Sequence, residues 1–408
     1  MEEKHITEDM IKITEYDLKG KLPDPFVFDS GKKLTTVGEW GERREEIYKS
    51  AVELQYGTIP PSPERLRVDI LYVGNGNPST YRITVGRGEK EFSFDMTVFK
   101  AATKEKCPVA VDGDLCFLYA FDREYIDAFV KNGVSLALFN RTAFFPDIAN
   151  YNAESTIDDG NENAYVWDTV HAFERGERRG PLADMYPEYS FGATGAWAWG
   201  YARCVDALEY LGFVDMDCIA FTGHSRGGKT AILAGVIDQR VAIVNPNETC
   251  AGGCSCYRLK IKAIDENGKE GVSETLKPLV EVFPSWMGTE MKNYAEREEE
   301  LPFDSHYLKA LVAPRILFVS EAASDIWANP VGSWQTTMGA SEVYKLLGAE
   351  ENLLWYFRRG YHYHKIEDVL QLINVIKHYK YGEPLNDKYF KTPFDKPELA
   401  FDWRAPSK

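Results

Sequence analysis

No run of about eighteen apolar residues occurs anywhere in the chain, so the sequence offers no helix able to span a bilayer. The first residues, Met1-Glu2-Glu3-Lys4-His5, lead into a polar stretch without an apolar centre. A cytoplasmic location is therefore expected, or a secreted one if a leader has been removed. A basic excess is missing as well. Lys and Arg number 47 against 63 Asp and Glu, a formal net charge of −16, which repels phosphate backbones and anionic membranes and argues against nucleic-acid and membrane partners. A local cluster of cations inside a cleft could still receive an acidic ligand. Nor is there a disulfide framework: the seven cysteines, an odd number, are scattered at 107, 116, 204, 218, 250, 254 and 256, which suits a reducing compartment. With no Pro, Gly or Ser tract, no internal repeat, and 44% hydrophobic residues, the 408-residue chain is expected to fold throughout.

What is present suggests one large catalytic domain. Residues 1–64 are polar and loop-like, end in Pro60-Pro61-Ser62-Pro63, and are expected to wrap the domain. Alternating runs at 66–73, 81–85 and 92–99 predict an antiparallel meander. From Cys107 onward short buried strands alternate with helices, among them a helix near Arg123 to Lys131, a strand from Ile316 to Ser320 and a helix from Glu342 to Leu347, the pattern of crossover connections on a mostly parallel sheet. The catalytic domain is placed at 65–385, with an insertion at about 141–191 and a tail at 386–408. The fold class is therefore α/β, a three-layer αβα sandwich whose mostly parallel central sheet has an antiparallel N-terminal edge.

Gly223-His224-Ser225-Arg226-Gly227 satisfies G-x-S-x-G and lies between an apolar strand and a helix, the setting in which a serine nucleophile is presented on a tight turn. The plain alternative is an ordinary strand-to-helix turn. A serine hydroxyl needs a base, and His362, with His364 beside it, follows the last strand in Arg358-Arg359-Gly360-Tyr361-His362-Tyr363-His364. Two carboxylates on strand-end loops could orient that imidazole, Glu248 and Asp325. His224 is expected to line the site or buttress the turn, whereas His5, His171, His306 and His378 have no such setting. Cys250, Cys254 and Cys256 crowd near Glu248, but their spacing suits packed thiols better than a metal knot.

These segments resemble the glucuronoyl esterases, a carbohydrate esterase family that cleaves esters of 4-O-methylglucuronic acid. The resemblance covers about residues 105–380. It rests on Gly223-His224-Ser225-Arg226-Gly227-Gly228-Lys229, Gly195-Ala196-Trp197-Ala198-Trp199-Gly200 and Asn247-Glu248-Thr249-Cys250-Ala251-Gly252-Gly253, with further matches at 301–306, 313–315 and 325–330. It implies that Arg226 stabilises an oxyanion, that Lys229 and Glu274 bind sugar hydroxyls, that Trp327 flanks the sugar ring, and that Glu248 ranks ahead of Asp325 as the acid. Arg258 and Trp286 join the expected substrate contacts. His224 stands where fungal members place a half-cystine, so their bridge beside the nucleophile is not expected.

The expected activity is thus hydrolysis of glucuronic acid esters from xylan or lignin–carbohydrate material, with no cofactor and no metal. An acetyl esterase of the same fold and a catalytically silent carbohydrate-binding homologue are the rivals.

Overall fold

Alternation of apolar and polar side chains lays down a strand at the beginning of the described residues. The computed structural model describes residues 10–74, 78–103, 105–149, 180–386 and 388–406. His5, His171 and much of the expected insertion at 141–191 lie outside them. The segment read as loop-like instead carries a strand, β1 (Ile11–Leu18), and a helix, α1 (Trp40–Tyr48). The meander follows as β2 (Arg65–Val73), β3 (Ser79–Arg87) and β4 (Lys90–Phe99), each antiparallel to the next. Then come β5 (Cys107–Asp112), α2 (Arg123–Lys131), whose first turn is capped by the Asp122 carboxylate, and β6 (Ser135–Phe139).

Past the undescribed stretch, α3 (Gly180–Met185) and α4 (Ala193–Leu211) lead into β7 (Val214–His224), α5 (Arg226–Ile237) and β8 (Ile243–Asn247). A hairpin of β9 (Leu259–Asp265) and β10 (Glu270–Val272) precedes α6 (Leu276–Val282) and α7 (Ser305–Val312). The chain closes with β11 (Ile316–Ala322), α8 (Pro330–Leu347), β12 (Leu353–Arg358) and α9 (Ile366–Tyr381).

The main sheet has nine strands in the order β12-β11-β8-β7-β5-β6-β4-β3-β2. Its first six strands are parallel, and the meander joins β6 antiparallel through β4. Tyr125 and Phe129 of α2 pack with Leu372, Ile373 and Ile376 of α9 on one face. On the other face α4, α5 and α7 bury Trp197, Ile232 and Leu308. This is the three-layer α/β-hydrolase arrangement that the alternation of strands and helices predicts. Each large apolar side chain so buried contributes about 1.5–3 kcal/mol. The two tryptophans of α4 also need partners for their indole N–H groups and find them in the carbonyls of Phe145 (2.7 Å) and Pro61 (2.9 Å).

Two further features depart from the sequence reading. β1 pairs with β9 in a separate three-stranded sheet, β1-β9-β10, because each is a half-buried alternating strand whose partner lies far away along the chain. Helix α8 begins at Pro330, well before the helix expected from Glu342, because Ser333, Gln335, Thr336 and Thr337 interrupt its apolar period yet are buried. The Lys309 ammonium donates to Thr336 Oγ1 and Thr337 Oγ1 at 2.8–2.9 Å and to Ser333 O at 2.8 Å, and the Ser333 hydroxyl donates to Glu321 Oε1 at 2.7 Å, so three of these buried hydroxyls have partners. The C-terminal segment is tied down too: Leu22 N–H donates to Ala400 O at 2.8 Å, and Phe394 and Phe401 are buried. No helix among the described residues is long and apolar enough to cross a membrane.

His306 of α7 is buried against Trp403, and its Nε2 lies 2.8 Å from Pro23 O, so that nitrogen carries the proton. Burial pushes its pKa down to about 4, although Asp304 opposes the shift. The unfolded chain therefore takes up this proton near the ordinary histidine value while the folded chain resists it, so stability is lost as pH falls from about 6.5 to 4. The urea midpoint is expected to fall between pH 7 and pH 5, and to fall less in His306→Gln, as measured by tryptophan fluorescence at both pH values.

Candidate active site

The turn between β7 and α5 consists of a single residue, Ser225, at φ 57° and ψ −119°. A side chain held there costs on the order of 1–3 kcal/mol, which the surroundings must offset. Ser225 N–H donates to Asn247 O at 2.9 Å, and Lys229 N–H to Ser225 O at 3.0 Å. The turn closes only because its neighbours lack side chains. A Cβ on Gly223 would stand 2.6 Å from the Gly227 carbonyl, and one on Gly227 would stand 2.2 Å from both carboxylate oxygens of Asp114. Asp114 is buried, pairs with Arg141, and accepts the His224 N–H at 2.8 Å, so it supports the turn from below.

His362 arrives from the loop after β12. Its Nε2 lies 3.0 Å from Ser225 Oγ, and its Nδ1 lies 2.6 Å from Asp325 Oδ2. A carboxylate can only accept, so Nδ1 carries the proton and Nε2 offers its lone pair to the serine hydroxyl. The side chain is 25% exposed, which leaves it accessible from one side.

Both candidate acids converge on this imidazole, and the nearer is the one ranked second from sequence. Glu248 Oε2 stands 3.5 Å from His362 Nδ1 and finds no hydrogen-bond partner among the described residues. Its other oxygen is taken by Arg358. Burial pushes the Glu248 carboxyl well above the usual range, and the Arg358 guanidinium opposes that shift. Asp325 is held differently: its Oδ1 accepts the Ala328 N–H at 3.2 Å, leaving Oδ2 for the imidazole.

His224 lies beside His362, with ring centres 4.7 Å apart. Its Nδ1 is 2.6 Å from Asn247 Oδ1, while the amide nitrogen of Asn247 donates to Ser320 Oγ at 3.0 Å. That orientation makes His224 Nδ1 the donor. Burial, reinforced by the neighbouring His362 and His364, drives the His224 pKa well below the ordinary value, so this ring stays neutral.

Cationic side chains flank the serine. Arg226 Nη1 pairs with Asp147 Oδ2 at 2.9 Å, and the guanidinium sits over Trp286 (4.6 Å) and Phe283 (5.0 Å). Trp286 stacks on Phe283 and donates its indole N–H to Asp147 Oδ1 at 2.9 Å. Lys229 donates to Thr249 O and stands 4.0 Å from Glu274 Oε2, which accepts the Ala251 N–H at 3.0 Å. Burial raises the Glu274 pKa, with Lys229 opposing. Half-buried Trp327 is joined to Glu274 by a backbone hydrogen bond of 2.9 Å.

Arg258, expected among the substrate contacts, spends its donors on the scaffold. Its donors go to Phe303 O (2.7 Å), Leu301 O and the Asp304 carboxylate (3.1 Å), because a guanidinium buried in the scaffold must be satisfied there. Asp147, Asn247 and Arg358, which sequence reasoning passed over, are brought into the site. Arg358 stands in the same short segment as His362, and Asp147 lies in the aromatic run Phe144-Phe145-Pro146-Asp147.

Among the described residues two donor sets are close enough to hold a metal ion, His224 with Glu248 and His362, and Cys250 with Asp325 and His362. Both would take the imidazole that otherwise meets Ser225, and the buried Cys250 thiol has its pKa pushed well up, against the thiolate a metal needs. The arrangement is chemically that of an activated serine: hydroxyl, imidazole and carboxylate in line, with fixed positive charge alongside.

Known proteins resemble this chain in sequence and in fold. Residues 83–348 match the sequence profile described as "Glucuronyl esterase, fungi". The chain is 30% identical over 336 residues to the 4-O-methyl-glucuronoyl methylesterase of Podospora anserina, covering 81% of this chain and 61% of that relative, and so spans less than two thirds of its length. Among solved structures, a carbohydrate esterase family 15 glucuronoyl esterase from Caldicellulosiruptor kristjansonii is similar at a TM-score of 0.77 and 26% identity, over 95% of this chain and 98% of that one. A glucuronoyl esterase mutant from Sporotrichum thermophile, in complex with methyl 4-O-methyl-beta-D-glucopyranuronate, is similar at a TM-score of 0.69 and 25% identity, over 92% of each chain.

The contact between Gly227 and Asp114 leaves no room for a methyl group. Gly227→Ala is expected to lower stability by about 1–3 kcal/mol in denaturant titration, and to slow labelling of Ser225 by a serine-directed phosphonate as the turn shifts away from His362.

Proposed function

The chain belongs to the glucuronoyl esterase family, and on that footing we propose that it hydrolyses esters of glucuronic acid, including the 4-O-methylated acid of xylan and lignin–carbohydrate material, through an acyl-enzyme. The observation that carries the reading is the placement of His362 between Ser225 Oγ at 3.0 Å and Asp325 at 2.6 Å. In this mechanism Nε2 of His362 takes the hydroxyl proton as Ser225 attacks the ester carbonyl. Asp325 holds the imidazole in the required tautomer and balances the imidazolium that forms. Negative charge on the carbonyl oxygen develops at the start of α5, beside Arg226, where the helix N-terminus and the guanidinium both favour it. The imidazolium then protonates the departing alcohol. Water, deprotonated by the same nitrogen, releases the uronic acid and restores the serine.

Lys229 and Glu274, buried side by side, supply a donor and an acceptor for sugar hydroxyls, and Trp327 offers an apolar face to the ring. A neutral two-carbon acyl group would use none of these. An acetyl esterase is therefore the rival that substrate comparison separates.

With benzyl or methyl glucuronate, kcat/KM is expected to exceed that for an aryl acetate by about a hundredfold, and Lys229→Met to remove about tenfold or more of that preference. A higher rate on the acetate would overturn the assignment of substrate. Asp325→Asn is expected to cost about a hundredfold or more in kcat, and Glu248→Gln distinctly less. The reverse ranking would make Glu248 the orienting acid.

A further inference from the structure

The base loop is short, and something must hold it. Arg358, the last residue of β12, is fully buried, and its guanidinium is spent almost entirely on that loop and its neighbours. Nε donates to Asp368 Oδ2 at 2.8 Å, in the first turn of α9. Nη1 donates to Arg359 O at 3.0 Å. Nη2 turns to Tyr361 O at 3.1 Å, to Tyr363 O, and to Glu248 Oε1. The two tyrosine carbonyls belong to the residues immediately before and after His362. The acid loop hangs from the same strand end, since Ala323 N–H donates to Arg358 O at 2.8 Å and Ser324 N–H to Gly360 O at 3.0 Å.

We propose that Arg358 is a positioning residue, which fixes the His362 loop against β12, α9 and the Glu248 carboxylate and so sets the imidazole at reacting distance from Ser225. Three properties of the guanidinium make it fit this place. Its planar fork directs donors at several acceptors at once, its charge persists when buried, and it compensates the Glu248 and Asp368 carboxylates that would otherwise be isolated from water. A lysine keeps the charge but brings a single donor centre, so it can satisfy only part of the set. Arg358 touches no substrate in this scheme; it acts through the backbone on either side of the base. The inference rests on the reading above that His362 is the general base.

The test compares wild type, Arg358→Lys and Arg358→Met by steady-state kinetics on benzyl glucuronate and by the rate of phosphonate labelling at Ser225, with circular dichroism to establish folding. A shift of about 1 Å in a reacting group costs on the order of a hundredfold, so Arg358→Met is expected to lose about that much in kcat with KM changed less than about twofold. Arg358→Lys should recover part of the loss, and labelling should slow in proportion to kcat. A lower melting temperature with unchanged kcat and labelling is the signature of a merely structural residue and overturns the inference, as does a loss confined to KM. Should the methionine variant not fold, the lysine variant decides: labelling at the wild-type rate overturns the proposal. If the wild-type protein itself does not react with the phosphonate, the esterase reading falls and the positioning role falls with it.

Discussion

The conformation of Ser225, with φ at 57°, is available to a residue with a side chain only if the chain around it is thin. Gly223 and Gly227 supply that thinness, and Asp114 fills the remaining space so closely that its oxygens mark where a Cβ on Gly227 would lie. The strain is sustained by bonds from the next strand, since Ser225 N–H is held by Asn247 O. Strand β8 thus does two things for the serine. Its last residue anchors the turn through the backbone and orients His224 through its side-chain amide. With the turn so braced, the hydroxyl projects from the sheet toward His362, delivered three strands further across.

Around this centre the protein buries three groups of paired charges. Arg226 with Asp147, Lys229 with Glu274, and Arg358 with Glu248 and Asp368 are all withdrawn from water. Ion pairs in such places contribute little net stability, because desolvation consumes most of the Coulomb attraction. Their use lies in fixed direction. A cation already stripped of water and held by a carboxylate and two aromatic faces, as Arg226 is, does not need to reorganise when charge develops beside it.

Much of this was legible in the sequence, and for physical reasons. The parallel half of the sheet could be read because each strand is a short apolar run bounded by helices, so α2 at Arg123–Lys131 and β11 from Ile316 fall where periodicity puts them. Ser225 and His362 stood out because a glycine-flanked serine and a histidine after the last strand are spaced for this chemistry. The β1-β9-β10 sheet was missed because alternation shows that a strand is half buried and not which distant strand pairs with it. The choice between Glu248 and Asp325 could not be read either, because both leave neighbouring parallel strands at the same edge and a difference of about one ångström separates them at the imidazole. The scaffold bonds of Arg258 were illegible for a related reason: a lone arginine in a sequence carries no mark of where its donors point.

Serine, carboxylate and imidazole sit at the ends of β7, β11 and β12, with β8 lying between the first two. Alignment across that sheet is continuous: His224 faces Asn247, Asn247 faces Ser320, and Ala322 faces Arg358. A slip by one residue in any of these pairings would turn the strand end over and carry its catalytic side chain to the opposite surface. The hydrogen-bond ladder therefore serves as the vernier of the site. Surface connections elsewhere are free to lengthen or change composition, whereas insertion of even one amino acid within this row would put the three groups out of step.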